Sequence, residues 1–281
     1  LGYARDKADG LIHEAKKAGF TPEILQRAGL ITQHGGDFFR HRVMFPIFNI
    51  SGKVIAFAGR QMVSSKRGPK YINSPETEIY VKRKVLYGLS HAKKAIRDND
   101  NCFLVEGYTD VISLHQAGIE NVVASSGTAL TPDQIRLIRR YAGRITVLYD
   151  SDPAGIKAAM RGLDLILEEN LDVRLALLPE GEDPDSFVKK SGLAGFQDYI
   201  REHSKDFILF KTQLLLKEAA GDPMRKATLV KDLVETLARI PEAIKRSAFI
   251  TECAHLMKID EHILVRETNK AYDEFLRQKR Q

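Results

Sequence analysis

Long apolar runs are missing from this chain, and so is a basic-then-apolar leader, which excludes a membrane-spanning helix and a signal peptide from what can be read here. Cysteine is scarce. Cys102 and Cys253 fall on a predicted strand and a predicted helix, and neither has the spaced Cys or His partners of a structural zinc site. The eight histidines show no ligand spacing either. A Gly-x-x-x-x-Gly-Lys-Ser/Thr loop is absent, which argues against a fused P-loop helicase. The expectation is a cytoplasmic protein without zinc. Because residue 1 is Leu rather than Met, the sequence reads as a piece of a longer protein.

What is present suffices for a core: 281 residues, 43% hydrophobic, fit two or three subdomains. The formal charge of +6 hides an asymmetry, since Gly36 to Arg97 carry 13 Lys and Arg against 3 Asp and Glu, a local +10 that leaves the remainder at −4. A basic block of this kind suits a phosphate backbone, where each neutralised phosphate releases condensed counterions. For any single lysine, a solvated surface is the ordinary reading.

Three acidic motifs follow apolar runs that read as buried strands. Glu106-Gly107-Tyr108-Thr109-Asp110 comes after Cys102 to Val105, Asp150-Ser151-Asp152-Pro153 after Ile145 to Leu148, and Asp183-Pro184-Asp185-Ser186 shortly after Val173 to Leu178. Helical stretches separate them: Thr109 to Ala117, then a helix opened by the capping box Thr131-Pro132-Asp133-Gln134, then one from near Pro153. The pattern over residues 100 to 190 is βαβαβαβ, which predicts a four-stranded parallel sheet whose carboxyl ends share one edge. Carboxylates crowded there repel unless a cation holds them, which points to a hard divalent metal and to phosphate chemistry. The bland alternative is helix capping. Asp152 and Asp183 each precede a proline and fit the N-cap position, whereas Glu106 and Asp150 have no obvious helix to cap. Asp110, four residues past Glu106, serves the fold or supports the site.

In the basic block, Arg42 to Asn49 and Val54 to Val63 read as a hairpin around Asn49-Ile50-Ser51-Gly52, and Lys66 to Tyr71 as a loop. Arg40, Arg42, Arg60, Lys70 and Lys82 are expected along a groove. Tyr71 could stack on a base, although a tyrosine in such a loop more often packs on its neighbours. Residues 1 to 35 read as helical, with a start at Thr21-Pro22-Glu23 and a stop at Gly29. Residues 201 to 281 read as a second helical region, with starts at Asp222-Pro223 and Pro241, packed against the sheet.

At the three acidic motifs the chain resembles the Toprim domain of DnaG-type bacterial replicative primases. Toprim domains also occur in type IA and type II topoisomerases, OLD-family nucleases and RecR-type proteins, so the acids alone fix the domain and not the enzyme. The upstream segments Arg42 to Ile47, Gly52 to Arg60, Pro69-Lys70-Tyr71-Ile72-Asn73-Ser74-Pro75-Glu76-Thr77 and Leu86-Tyr87-Gly88-Leu89 resemble the primase core ahead of its Toprim unit, and the likeness runs from about Leu1 to Gly192. It implies an α/β fold with a basic α+β subdomain over 1–98, a Toprim-type four-stranded parallel sheet with flanking helices over 99–190, and a helical subdomain over 191–281. It further implies metal-dependent nucleotidyl transfer from NTPs, making short RNA primers on single-stranded DNA. Glu106, Asp150 and Asp152 would be catalytic and bind Mg2+, with Mn2+ as an alternative, and Asp183 and Asp185 would complete the metal site with Asp110 in support. Lys70 and Lys82, with Asn73 nearby, would bind nucleotide or nucleic-acid phosphates. The zinc-binding and helicase-interacting domains of complete family members are not recognisable here, so a replicative helicase would be met through a C-terminal domain outside this chain. Another Toprim enzyme, a nuclease or topoisomerase, or a non-catalytic DNA-binding mediator are the alternatives.

Overall fold

The basic N-terminal segment forms an antiparallel sheet in the computed structural model, which describes residues 1–62, 68–127, 129–149, 153–219 and 222–280. Its strands β1 (Gly2–Ala4), β2 (Arg42–Phe48), β3 (Val54–Gln61) and β4 (Tyr71–Asn73) are ordered β1-β2-β3-β4. The expected hairpin pairs β2 with β3 from Arg42↔Gln61 to Phe48↔Val54. Its turn is fixed by Asn49 Oδ1, which accepts from Ser51 Oγ and from the Lys53 N–H, both at 2.9 Å. Helices α1 (Gly10–Lys17) and α2 (Pro22–Arg27) lie between β1 and β2 in the chain, and α2 starts after Thr21 as read. The reading of residues 1 to 35 as helical missed β1, three residues long and held only by its pairing with β2. So short a strand has no period of its own to detect.

The second sheet is built from β5 (Cys102–Val105), β6 (Val122–Ala124), β7 (Arg144–Tyr149), β8 (Asp172–Leu177) and β9 (Lys205–Asp206), in the order β6-β5-β7-β8-β9. Its first four strands are parallel, as expected, and β9 adds a two-residue antiparallel edge. Helix α3 (Leu89–Asn99) leads into β5, and α4 (Tyr108–Gln116), α5 (Pro132–Arg139), α6 (Pro153–Glu168) and α7 (Pro184–His203), the last broken at Gly192, run between the strands. Because β6 lies on one side of β5 and β7 on the other, the strand order reverses at β5, and an open crevice is expected at that point beyond the carboxyl ends. Gly88, at the start of α3, has φ +86°, and an added Cβ would lie 2.9 Å from Val111 Cγ1 and 3.1 Å from the Val122 carbonyl oxygen. Only glycine lets the chain pass that close.

Strand alternation divides the core. Cys102, Leu104, Ile145, Val147, Val173 and Leu175 face one side, and Val105, Leu148 and Ala176 join Val111, Leu114, Val188 and Phe196 of α4 and α7 on the other. The first side is shared with the C-terminal helices α8 (Phe207–Ala219), α9 (Pro223–Leu237), α10 (Ala243–Met257) and α11 (Glu261–Arg280), through Phe207, Leu233, Leu237, Ile250 and Leu264 among others. Polar contacts stitch the same seam. Lys211 Nζ, buried, donates to Thr236 Oγ1, whose hydroxyl donates to Asp164 Oδ1 of α6 at 3.2 Å. Burial pushes the Asp164 carboxyl above its usual range against the pull of Lys211. Glu168 at the end of α6 pairs with Arg239 and, at 2.9 Å, with Lys279. Among the described residues no helix is long and apolar enough to cross a membrane.

A common core implies common unfolding. Leu237→Ala, at a fully buried position, should cost about 2–5 kcal/mol, and urea unfolding followed by sheet and helix signals together should stay a single transition. Separate transitions would mean that the C-terminal helices are an independent unit.

Candidate active-site cleft

Glu106 is exposed directly after β5, where the strand order reverses, and it lines a cleft of about 1050 Å³. The same cleft is lined by Asp110 and Asp183 from the parallel-sheet unit and by Lys70, Asn73 and Lys82 from the basic segment. Asp150 and Asp152 lie outside the described residues; β7, after which they follow in sequence, is hydrogen-bonded beside β5 with Leu104 opposite Val147. Among the described residues no three His, Cys, Asp or Glu side chains gather to hold a metal ion.

Each remaining acid has a local structural partner. Asp183 caps α7, accepting from the Ser186 N–H at 2.7 Å while Ser186 Oγ accepts from the Asp183 N–H at 3.0 Å. The capping role and a place in the cleft therefore coexist in one residue. Asp110 Oδ2 accepts from the Gly107 N–H at 3.0 Å at the start of α4, which fixes the turn that carries Glu106. Asp185 is outside the cleft lining. It accepts from Ser113 Oγ of α4 and from Lys189 Nζ. Burial alone would raise its carboxyl, but Lys189 and Ser113 hold it below the usual range.

The basic residues separate into two groups. Lys70 is exposed and Lys82 half-buried at the cleft. Lys82 opens a 3-10 turn (Lys82–Lys84) that the α5 cap grips: Thr131 Oγ1 donates to the Arg83 carbonyl at 2.6 Å and Gln134 Nε2 to that of Val85 at 2.8 Å. Arg40, Arg42 and Arg60 do not line the cleft. Arg40 is exposed and pairs with Asp6 at 3.4 Å, and Arg60 lies 5.9 Å from the Tyr71 ring centre. Arg42, expected along the groove, departs from that expectation. It is only 6% exposed, and its guanidinium donates to the carbonyls of Gly59, Pro69 and Lys70 at 3.1–3.2 Å. Burial lowers its pKa, with those carbonyls as the acceptors in place of a phosphate. It braces the backbone that presents Lys70.

Tyr71 packs on its neighbours, with ring centres 6.4 Å from Phe45 and 6.0 Å from Tyr108. Asn73 is a bridge: its Oδ1 accepts from the Tyr108 hydroxyl at 2.9 Å and its Nδ2 donates to the Ser126 carbonyl at 3.1 Å. Tyr108, which the sequence shows only as part of the first acidic motif, lines the cleft, as do Ser125, Ser126 and Gly127, which belong to none of the motifs. The strand-end rule that found Glu106 would have found Ser125 to Gly127 if applied to β6.

Comparison with known proteins adds three family matches. Residues 1–93 match the DNA primase catalytic core, N-terminal domain, residues 103–188 match the Toprim-like family, and residues 210–262 match the DnaB-helicase binding domain of primase. A DNA primase of Clostridium acetobutylicum is 40% identical over 268 residues, covering 94% of this chain and 44% of its own length. One from Listeria monocytogenes is 36% identical over 276 residues, covering 96% and 43%. The chain thus spans less than half the length of these relatives. Among solved structures, a DNA primase domain from Pseudomonas aeruginosa superimposes with TM-score 0.84 at 35% identity, covering 95% of this chain and 86% of that one. The DnaG primase catalytic domain bound to ssDNA superimposes with TM-score 0.79 at 33% identity, covering 90% and 84%. The third family match corrects the expectation that any helicase-binding likeness lies outside the chain, since it falls on α8 to α10. Apolar residues at helical spacing look alike in any packed helix, so the sequence pattern carried no sign of a partner.

Arg42→Ala and Lys82→Ala should therefore fail differently. The first strands buried carbonyls and should lower stability by about 1–3 kcal/mol or more in thermal melts. The second should leave the melt unchanged and, if Lys82 meets a DNA phosphate, reduce the salt slope of single-strand binding by about 0.7. An unchanged melting temperature for Arg42→Ala would contradict its bracing role.

Proposed function

We propose that this chain, which belongs to the DnaG-type primase family, is the catalytic core of a DNA-directed RNA polymerase that makes short RNA primers on single-stranded DNA. The observation that carries this reading is the common cleft, lined by Glu106 and Asp183 from one unit and by Lys70, Asn73 and Lys82 from the other. The reaction is attack of a ribonucleotide 3′-hydroxyl on the α-phosphate of an incoming NTP, with pyrophosphate leaving.

The donor set fits a hard divalent cation. Glu106 and Asp183 offer carboxylate oxygens at one strand edge, and the bond from Ser186 to Asp183 uses a single oxygen. Asp150 and Asp152, in sequence directly after β7, are proposed to complete the set with Glu106. Asp185 contributes through the position it gives α7 against Ser113, and Asp110 by holding the Glu106 turn. Bound there, Mg2+ or Mn2+ would lower the pKa of the attacking hydroxyl and offset charge on the phosphates. Lys70 and Lys82 would hold the triphosphate, and Asn73 would keep the two units in register around it. Arg40 and Arg60, exposed on the same segment, are proposed contacts for template phosphates. No zinc is proposed for this chain, whose two cysteines, Cys102 and Cys253, lack the spaced Cys or His partners of a structural zinc site in the sequence.

In this reading, residues 1–98 supply phosphate contacts, 99–190 the metal edge, and 191–281 the helical buttress. The template is single-stranded DNA, in keeping with the related catalytic domain bound to ssDNA. A replicative helicase is the proposed partner of the helical region, on the likeness over residues 210–262. The setting is the cytoplasm. A strand-cleaving or purely mediating role lacks the support that the match over residues 1–93 gives to a primase core.

The test is an incubation with single-stranded DNA, labelled NTPs and Mg2+. RNA product is expected, and Asp150→Asn or Glu106→Gln should reduce it by more than ~100-fold, beyond what loss of a merely supporting group costs, with the melting temperature nearly unchanged. Cut DNA in place of RNA, or near-normal synthesis by Asp150→Asn at saturating Mg2+, would overturn the assignment.

A further inference from the structure

At the opposite edge of the parallel sheet, where the strands begin, a second cavity of about 480 Å³ opens between the sheet and the last turns of α7. Sheet register explains its chemistry. Thr146 of β7 stands directly beside Arg174 of β8, and Arg144 precedes Thr146 by two residues, so all three project from one face. Toward the carboxyl ends that face is apolar and covered by α4 and α7. Toward the amino ends polar side chains take over: Asn101, Asn121, Arg144, Thr146 and Arg174 line the cavity, with Phe103 beside them.

Arg174 is only partly satisfied. Its Nη2 donates to the Ser204 carbonyl at 2.8 Å, but its Nε is buried without a hydrogen-bond acceptor, the only charged side chain among the described residues left so. Buried donors are nearly always paired, so an orphan on a cavity wall calls for an acceptor that arrives from outside. Arg144 is exposed, and among the described residues its guanidinium makes no hydrogen bond or ion pair. Of the neighbouring acids, Asp198 is taken by Arg201 and Asp172 by Lys245; Asp206, opposite Arg174 across the β8–β9 pair, accepts from the Ile208 and Leu209 N–H groups, and Glu120 lines the cavity where it is exposed. The hydroxyl of Thr146, 3% exposed, is tied to Asn101 Oδ1 at 2.9 Å, which leaves its oxygen able to accept but adds no charge.

We propose that this cavity is a second oxyanion site, distinct from the cleft, in which Arg174 and Arg144 hold a phosphate group. Two guanidinium forks on adjacent strands suit a tetrahedral oxyanion better than a point cation would. The cavity is larger than a lone phosphate needs and suits a nucleotide-sized ligand. It lies about 17 Å from the cleft edge, the length of β7 at 3.3 Å per residue, so a single phosphate cannot serve both places. The phosphate can come from a free mononucleotide or from a nucleic-acid backbone.

The experiment follows the arginine Nε–H resonances of the whole chain during titration with inorganic phosphate. A saturable shift of the Arg174 resonance is expected, weakened about tenfold or more by Arg144→Gln and unaffected by Lys82→Ala. Repeating it with a nucleoside monophosphate and with a short single-stranded DNA identifies the source, as the tighter ligand of the two. Arg144 is exposed and has no hydrogen-bond or ion-pair partner among the described residues, so its substitution should leave the melting temperature unchanged, which keeps the test independent of folding. Absence of a saturable shift, or a shift retained in Arg144→Gln and lost in Lys82→Ala, would overturn the proposal.

Discussion

Tyr108 stands two residues after Glu106, and its ring is stacked on Phe45 of the antiparallel sheet at 5.3 Å and set edge-on to Tyr87 at 4.7 Å. Its hydroxyl donates to Asn73, which in turn donates to the Ser126 carbonyl beyond β6. The acidic edge and the basic segment are therefore joined at the cleft floor by one buried side chain. Burial pushes the Tyr108 hydroxyl far above its ordinary pKa, so it stays a donor across the physiological range. Tyr87 is tied to β6 as well, by backbone bonds to Ala124 of 2.9 and 3.1 Å in both directions. Lys70, Lys82 and Glu106 line one cleft across this seam, and the proposed triphosphate site depends on that arrangement.

Capping and catalysis are usually offered as competing explanations for an acid before a proline. At Asp183 the two readings are compatible. Its hydrogen bond to Ser186 orients the start of α7, and the same residue lines the cleft. The αN-terminal turn is also a place where a carboxylate is electrostatically favoured, which lowers the cost of collecting acids at a strand edge. Asp110 and Asp185 contribute less directly, by fixing α4 at Gly107 and α7 against Ser113.

The parallel sheet was legible because its strands are continuous apolar runs broken by helices with explicit caps. Thr131-Pro132-Asp133-Gln134 has the sequence of a capping box and forms one, with the Gln134 N–H donating to Thr131 Oγ1 at 3.2 Å. What stayed hidden was set by tertiary contact. The same Thr131 and Gln134 also clamp the carbonyls of Arg83 and Val85, and no local pattern announces that. Arg42 reads as any other basic residue until the fold buries it among three carbonyls. β1 and β9 are too short for a period, and the core shared by the sheet with α8 to α11 arises from helices whose sequence says only that one face is apolar.

Cooperation between the two sides of the cleft is the central claim, and a double-mutant cycle measures it. Glu106→Gln, Lys70→Ala and the pair should be compared in Mg2+-dependent NTP binding by titration calorimetry. If the carboxylate and the lysine act on one bound triphosphate, the paired loss should differ from the sum of the single losses by at least about 0.5 kcal/mol, the threshold for sites in one network. Strict additivity, as found for distant and independent sites, would mean that the acidic edge and the basic segment do not share a substrate.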